Sequence, residues 1–194
     1  VPTPLPLPLR TERLVARPWE PADRQDLLAL LRPPETTRYL YSDPLDETTV
    51  DAALEQRCRI PPFDGDGQVL KLAAVRRADD AVVGDLTLIL TNRDNAQGEI
   101  GYILAAEARG QGLATEGARA LLDLGFGPLG LHRISAQCDA RNAASARVMA
   151  RLGMRQEAHL IENEFVKGEW TDELIFALLD REWAAGPAAD GGLR

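Results

Sequence analysis

A chain of 194 residues, 45% apolar and 27% charged, is long enough to close one hydrophobic core and has the make-up of a globular domain. Lys plus Arg number 22 against 30 Asp plus Glu, a formal charge of −8, which argues against a general nucleic-acid binder and suits a cationic acceptor. No apolar run approaches the ~20 residues of a membrane span. Two cysteines, Cys58 and Cys138, and two histidines, His132 and His159, match no metal spacing and form no disulfide framework, so buried thiols in a reducing, cytoplasmic setting and no metal are expected.

Val1 to Leu9 alternates Pro with Leu and Val, which predicts an extended arm over residues 1–10 and no signal peptide. Leu14 to Arg17 predicts a strand. Glu20-Pro21 opens a helix with Leu27, Leu28 and Leu31 on one face, and Pro33-Pro34 stops it. A second helix is expected over Glu47 to Arg57, followed by a Pro- and Gly-rich loop. Strands are then expected at Val69–Val75, Ala81–Leu90 and Glu99–Leu104, with Gly84 as a bulge or close-approach point. Ala114, Ala118, Leu121 and Leu122 switch the period to helical, and Gly125, Gly127 and Pro128 end that helix. Leu131–Cys138 reads as a strand and Asn142–Leu152 as a helix closed by Gly153. His159–Val166 and Glu173–Leu179 complete the set around Lys167-Gly168, and a Gly- and Ala-rich tail follows. The order predicts a mixed α/β domain with antiparallel character.

The chemistry concentrates where the strand Glu99–Leu104 leads through Ala105–Ala108 into Arg109-Gly-Gln-Gly-Leu-Ala-Thr115. A helix start offers unpaired N–H groups and the positive end of the macrodipole, an anion site. Gly110 and Gly112 remove side chains so that a pyrophosphate can approach the backbone. Thr115 adds a hydroxyl and Arg109 a charge. No Gly-Lys dipeptide that would make a nucleotide P-loop is present, and the third glycine of a dinucleotide fingerprint is replaced by Thr115. Two glycines alone also fit a plain tight turn.

Arg109-Gly-Gln-Gly-Leu-Ala114 resembles the pyrophosphate loop of the GCN5-related N-acetyltransferase (GNAT) superfamily. Four further segments resemble its RimJ/RimL-type branch, which acetylates ribosomal-protein N-termini: the start Thr11-Glu-Arg-Leu-Val-Ala-Arg-Pro-Trp19, Glu99-Ile-Gly-Tyr-Ile-Leu104, the stretch Asp139-Ala-Arg-Asn142 through Ser145 to Gly153, and Val166-Lys-Gly-Glu-Trp-Thr-Asp-Glu-Leu174. The resemblance spans residues 11–183 and leaves 184–194 as a tail. It implies a GNAT fold: a twisted, mostly antiparallel sheet of six to seven strands with flanking helices and one splayed parallel pair, Glu99–Leu104 and Leu131–Cys138. It also implies acetyl-CoA as the acyl donor, an amine acceptor and, as an open matter, a homodimer.

The same resemblance assigns roles. Tyr102, Ile103 and Leu104 would pair with the pantetheine arm through backbone groups left free at the splay. One N–H, of Ile103 or Leu104, would polarise the thioester carbonyl. Arg109, Gly110, Gln111, Gly112, Leu113, Ala114 and Thr115 would hold the pyrophosphate, and Asn142 the pantetheine. Glu99 would act as base toward the amine. Many family members carry a Tyr seven residues after the Asn of the second motif. Met149 stands there in this chain, so Ser145 is assigned to the CoA sulfur. Asn142 also fits a helix N-cap, and Ser145 an ordinary helical serine. Trp19, Trp170 and Trp183 read as core or cleft wall. Glu162, Asn163 and Glu164 read as an acceptor wall or a solvent face, and Cys138 as a structural thiol. The acceptor is left between a peptide or protein N-terminal amine and a small amine such as an aminoglycoside or polyamine. A non-catalytic acyl-CoA sensor and a nucleotide-binding protein are the competing classes.

Overall fold

The computed structural model describes residues 5–186. Residues 1–4 of the expected arm and 187–194 of the expected tail lie outside them. The strands are β1 (Leu9–Arg10), β2 (Leu14–Pro18), β3 (Gln68–Arg76), β4 (Val82–Asn92), β5 (Gln97–Leu104), β6 (Arg133–Asp139), β7 (Arg155–Val166) and β8 (Glu169–Leu179). The helices are α1 (Arg24–Leu31), α2 (Pro34–Thr37), α3 (Val50–Arg57), α4 (Leu113–Phe126), α5 (Ala143–Arg151) and α6 (Asp180–Ala184). Among the described residues no helix is long and apolar enough to cross a membrane.

All eight strands form one sheet in the order β1-β2-β3-β4-β5-β6-β8-β7. Every neighbouring pair is antiparallel except β5–β6, which is parallel. The sheet therefore exceeds the expected six to seven strands. The addition is β1, cut from the segment expected to be a free arm, where Leu9 and Arg10 pair with Ala16 and Val15. Proline spacing reads as extended chain, but not whether a partner strand lies alongside it.

Side chains alternate across a strand, and the sheet is apolar on both faces. Leu70 and Leu72 of β3, Leu86 and Leu88 of β4, Ile100 of β5 and Ile134 of β6 pack with Leu121 and Leu122 of α4 and Met149 of α5. The opposite face packs Ala73 and Val75 against Leu27, Leu28 and Leu31 of α1 and Val50 and Leu54 of α3, with Trp19 among them. Each fully buried Leu or Ile contributes roughly 1.5–3 kcal/mol, so these two layers dominate stability. Trp19 is a core residue, and Trp183 packs on Phe126. Trp170 is neither core nor cleft wall: it stacks edge-on with Phe165, 5.3 Å between centroids, and is 59% exposed.

Several boundaries move for physical reasons. α1 ends at Leu31 with Arg32 as its cap, just before Pro33-Pro34 as expected. The fixed φ of Pro34 also suits a first helical turn, and it opens α2. Gly125 lies inside α4 and does not end it, because a methyl there would meet Ile134 Cδ1 at 2.5 Å. The glycine lets α4 lie down on β6, and Gly127 is the C-cap. The register shift between β3 and β4 places the extra residue at Val83, beside Gly84. The second helix begins at Val50, later than Glu47, and β7 and β8 start four residues earlier than their apolar runs suggest.

Candidate active site

The parallel pairing of β5 and β6 is short. It runs from Gln97 opposite Arg133 to Glu99 opposite Ser135 and then stops, while β5 stays paired to β4 through Leu104. Beyond Glu99 the two strands part, and a V-shaped gap opens between Ile100–Leu104 and Ala136–Asp139. The Ala105 N–H donates to Val83 O at 2.9 Å. Hydrogen-bonded pairs alternate along an antiparallel ladder, so Ile103 also faces β4, and the backbone groups of Tyr102 and Leu104 face the gap. Of the two N–H groups named for the thioester carbonyl, this alternation turns that of Leu104 into the gap. The Leu104 carbonyl is already engaged by Arg109 Nε at 3.1 Å.

The gap continues into a cleft of about 410 Å³ running to the start of α4. Tyr102, Ile103, Leu104, Arg109, Gly110, Gly112, Leu113, Ala114, Thr115, Asn142 and Ser145 all line it. The two motifs, some thirty residues apart in the chain, therefore meet in one cavity. Gly110 and Gly112 adopt φ of +73° and +79°, the left-handed region that ordinary side chains avoid. Nothing stands within 4 Å of where a Gly110 Cβ would project. The hydroxyl of Thr115 is buried without a hydrogen-bond partner in the protein. An open, glycine-floored turn with an orphan hydroxyl at a helix N-terminus fits a phosphate-bearing donor.

Two residues from the list stand apart. Gln111 does not line the cleft: its side-chain amide donates to Glu107 O at 2.8 Å, and its backbone carbonyl accepts from Arg13 Nη1 at 2.8 Å. Arg13 also grips Glu116 of α4, with Nε and Nη2 each 2.7 Å from the carboxylate, so the bend between β1 and β2 braces the turn from outside. Glu99 lies on the opposite face of the sheet from Tyr102, at the point of the V. It is half-buried. Burial first, and then the like charge of Glu173, hold its carboxyl above the usual range.

The second motif forms α5. Asn142 is its N-cap, with Oδ1 accepting from the Ser145 N–H at 3.1 Å, and it lines the cleft as well. Ser145 Oγ stands 2.9 Å from the Tyr102 hydroxyl. Met149 is fully buried in the core. Cys138 is buried, and burial pushes its thiol up to about 11, a poor nucleophile. Cys58 is half-buried.

The remaining walls come from the first third of the chain, which carries no chemical motif. Thr36 of α2 and Tyr39 and Leu40 after it line the cleft, as do Arg147 and Arg151 of α5. The four-residue spacing of those arginines on one helix face was the available signal. The loop after α2 is strapped to the β7–β8 turn by Lys167, whose Nζ donates to Thr37 O at 2.5 Å and Leu40 O at 3.1 Å. Beneath this strap the buried Glu173 carboxylate accepts from the Tyr41 hydroxyl and, at 3.0 Å, from Asn163 Nδ2. Glu162 and Asn163 are both exposed, Asn163 reaching Glu173 through its amide, and Glu164 is half-buried. Among the described residues no group of three or more His, Cys, Asp or Glu converges into a metal cluster.

The acetyltransferase (GNAT) domain model matches residues 13–155. The uncharacterized N-acetyltransferase p20 of Bacillus licheniformis is 32% identical over 176 residues, 91% of this chain and 98% of that protein. The crystal structure of a GNAT-family acetyltransferase from Bacillus anthracis superposes with a TM-score of 0.81 at 25% identity, covering 90% of this chain and 99% of the other. Spermidine N-acetyltransferase from Vibrio cholerae, in complex with CoA and spermine, shares the fold with a TM-score of 0.76 at 21% identity, over 90% and 99% of the two chains.

Proposed function

This chain belongs to the GNAT family of N-acetyltransferases and uses acetyl-CoA as acyl donor, and on that premise we propose that it transfers the acetyl group directly to a primary amine that carries further positive charge. The observation that carries the acceptor reading is a pair of carboxylates on one side of the sheet: Glu99 at the closed end of the gap, half-buried and held above its usual range, and the buried Glu173 of β8, in register with Asp139. We assign this activity to residues 11–183 as one unit.

The donor's pyrophosphate rests on the Gly110–Gly112 turn and the first N–H groups of α4, with the Thr115 hydroxyl beside it. The pantetheine runs along Tyr102 and Leu104 as an added strand and meets Asn142 across the gap. The Leu104 N–H faces the developing oxyanion. The amine enters from the α1–α3 face, under the loop held by Lys167. Glu99 takes its proton, and nitrogen attacks the carbonyl with no covalent enzyme intermediate. A polyamine suits the two carboxylates, and a spermidine acetyltransferase shares the fold. A peptide N-terminal amine is the second reading, supported by the RimJ/RimL-like segments of the sequence.

Calorimetric titration with acetyl-CoA tests the donor site. Binding is expected for the wild type and lost in Gly112→Trp, whose bulky side chain would sit at a left-handed position on the pyrophosphate floor. Turnover with spermidine, an aminoglycoside and peptides beginning with Ala or Ser then ranks the acceptors. Binding without turnover of any of them would favour the sensor class, and no binding would overturn the reading.

A further inference from the structure

Acetyl transfer leaves one atom to be served, the sulfur that departs. As the N–C bond forms and the C–S bond breaks, sulfur takes the electron pair and needs a proton. On α5 the residue seven after Asn142 is Met149, 0% exposed and without a proton to give. Ser145 is an alkyl hydroxyl, a weaker acid than a phenol.

A phenol arrives from the opposite wall. Tyr102 leaves β5 on the α4–α5 face and reaches over the gap to the first turn of α5. Its hydroxyl stands 2.9 Å from Ser145 Oγ and 3.1 Å from the Ser145 carbonyl. Both side chains line the donor cleft. With Ser145 Oγ–H donating to the phenol oxygen, the phenol proton rests on the Ser145 carbonyl at 3.1 Å, the longer of the two contacts, from which it can turn to an acceptor in the cleft. Burial pushes the phenol up to about 12, so it holds its proton at neutral pH.

We propose that Tyr102 is the acid of the transfer step, giving its proton to the departing CoA sulfur, and that Ser145 positions its hydroxyl. The proposal rests on the acetyltransferase reading above. In the step the amine nitrogen bonds to the carbonyl carbon, the C–S bond breaks, and an S–H bond replaces the Tyr102 O–H bond. The proton taken from the amine by Glu99 returns to the phenolate through solvent, and both groups are restored.

The test uses the full chain with acetyl-CoA and hydroxylamine, read as acetohydroxamate formed. Hydroxylamine is small enough to need no acceptor recognition and is largely unprotonated at neutral pH, so it needs no deprotonation before attack, and its N–H proton leaves after attack to Glu99 or to water. The sulfur step is thereby made less dependent on Glu99 and Glu173. Tyr102→Phe keeps the ring and its packing. It is expected to lower kcat about 100-fold while the calorimetric affinity for acetyl-CoA stays within about 3-fold of the wild type. Ser145→Ala is expected to lower kcat about 10-fold with KM for acetyl-CoA unchanged, and Ser145→Thr to restore it. Wild-type kcat in Tyr102→Phe would overturn the role, as would a fall in binding that accounts for the whole loss. A wild-type chain that binds acetyl-CoA yet forms no acetohydroxamate above background would instead overturn the acetyltransferase reading itself.

Discussion

Asp85 of β4 is fully buried and bonds three ways. Its Oδ1 accepts from Trp19 Nε1 at 3.0 Å, its Oδ2 accepts from Arg57 Nε at 3.0 Å and Nη2 at 2.9 Å, and Lys71 Nζ stands 4.0 Å away. This network ties α3 and the residue after β2 to the sheet on the face where we place the acceptor. Asp85→Asn keeps the shape and the Trp19 bond but strips the negative charge from two cations. Removing one partner of a buried pair costs about 3–5 kcal/mol. Two features pull the value down. Arg57 keeps a bond to Ala53 O at 3.1 Å, and Lys71 stands 4.0 Å from Asp85, too far for a close ion pair. The expected loss is therefore about 3 kcal/mol, a fall in Tm of about 6–12 °C for a domain of this size. Thermal and urea unfolding followed by circular dichroism measure it. The double variant Asp85→Leu with Arg57→Met removes the charges together and should recover most of the loss, because a buried pair is worth little against well-packed apolar groups. A loss below about 1 kcal/mol for Asp85→Asn, or a double variant no better than the single, would refute the reasoning.

Glu99→Gln is expected to lower kcat/KM by about 10²–10⁴. A base must be deprotonated to work, and burial with Glu173 raises the Glu99 pKa, so wild-type activity should climb as pH rises through that raised value. Glu173→Gln removes the like charge and should move the acidic limb to lower pH; a limb that stays put under that change counts against Glu99 as the base. Gly125→Ala places a methyl 2.5 Å from Ile134 Cδ1. Overpacking of about 1–3 kcal/mol against a helix-propensity gain of about 1 kcal/mol predicts a net loss near 1 kcal/mol, visible as a lower urea midpoint. Unchanged or higher stability would mean that α4 shifts freely on β6. Cys138, buried and with its thiol pushed up to about 11, should take up iodoacetamide only when the chain unfolds. Rapid labelling in native buffer by mass spectrometry would show that the gap admits reagents to its sulfur.

Much of the cleft's glycine turn and of the α5 cap was legible in the sequence. A glycine turn at a strand-to-helix junction is a local feature: the φ angles of Gly110 and Gly112 and the N-terminus of α4 follow from neighbouring residues. Asn142 as a cap of α5 is equally local, since capping joins residues three apart. The alternation of β3, β4 and β5 and the helical stripes of α4 and α5 likewise declare themselves over short windows.

What the sequence could not declare are contacts between residues far apart in the chain. β1 exists because β2 lies alongside it, and the α2 loop lines the cleft because Lys167, some 130 residues later, straps it down. Glu173 lies in a segment with a family resemblance that names no role for it. Its burial and the bond it accepts from Tyr41, 132 residues away, come from the fold. The meeting of Tyr102 with Ser145 depends on β5 and β6 parting after Glu99, a decision taken by the packing of the whole sheet. Backbone propensity and capping act over a few residues and can be read from them. The positions of side chains across a gap are set by tertiary packing, and only the folded chain supplies them.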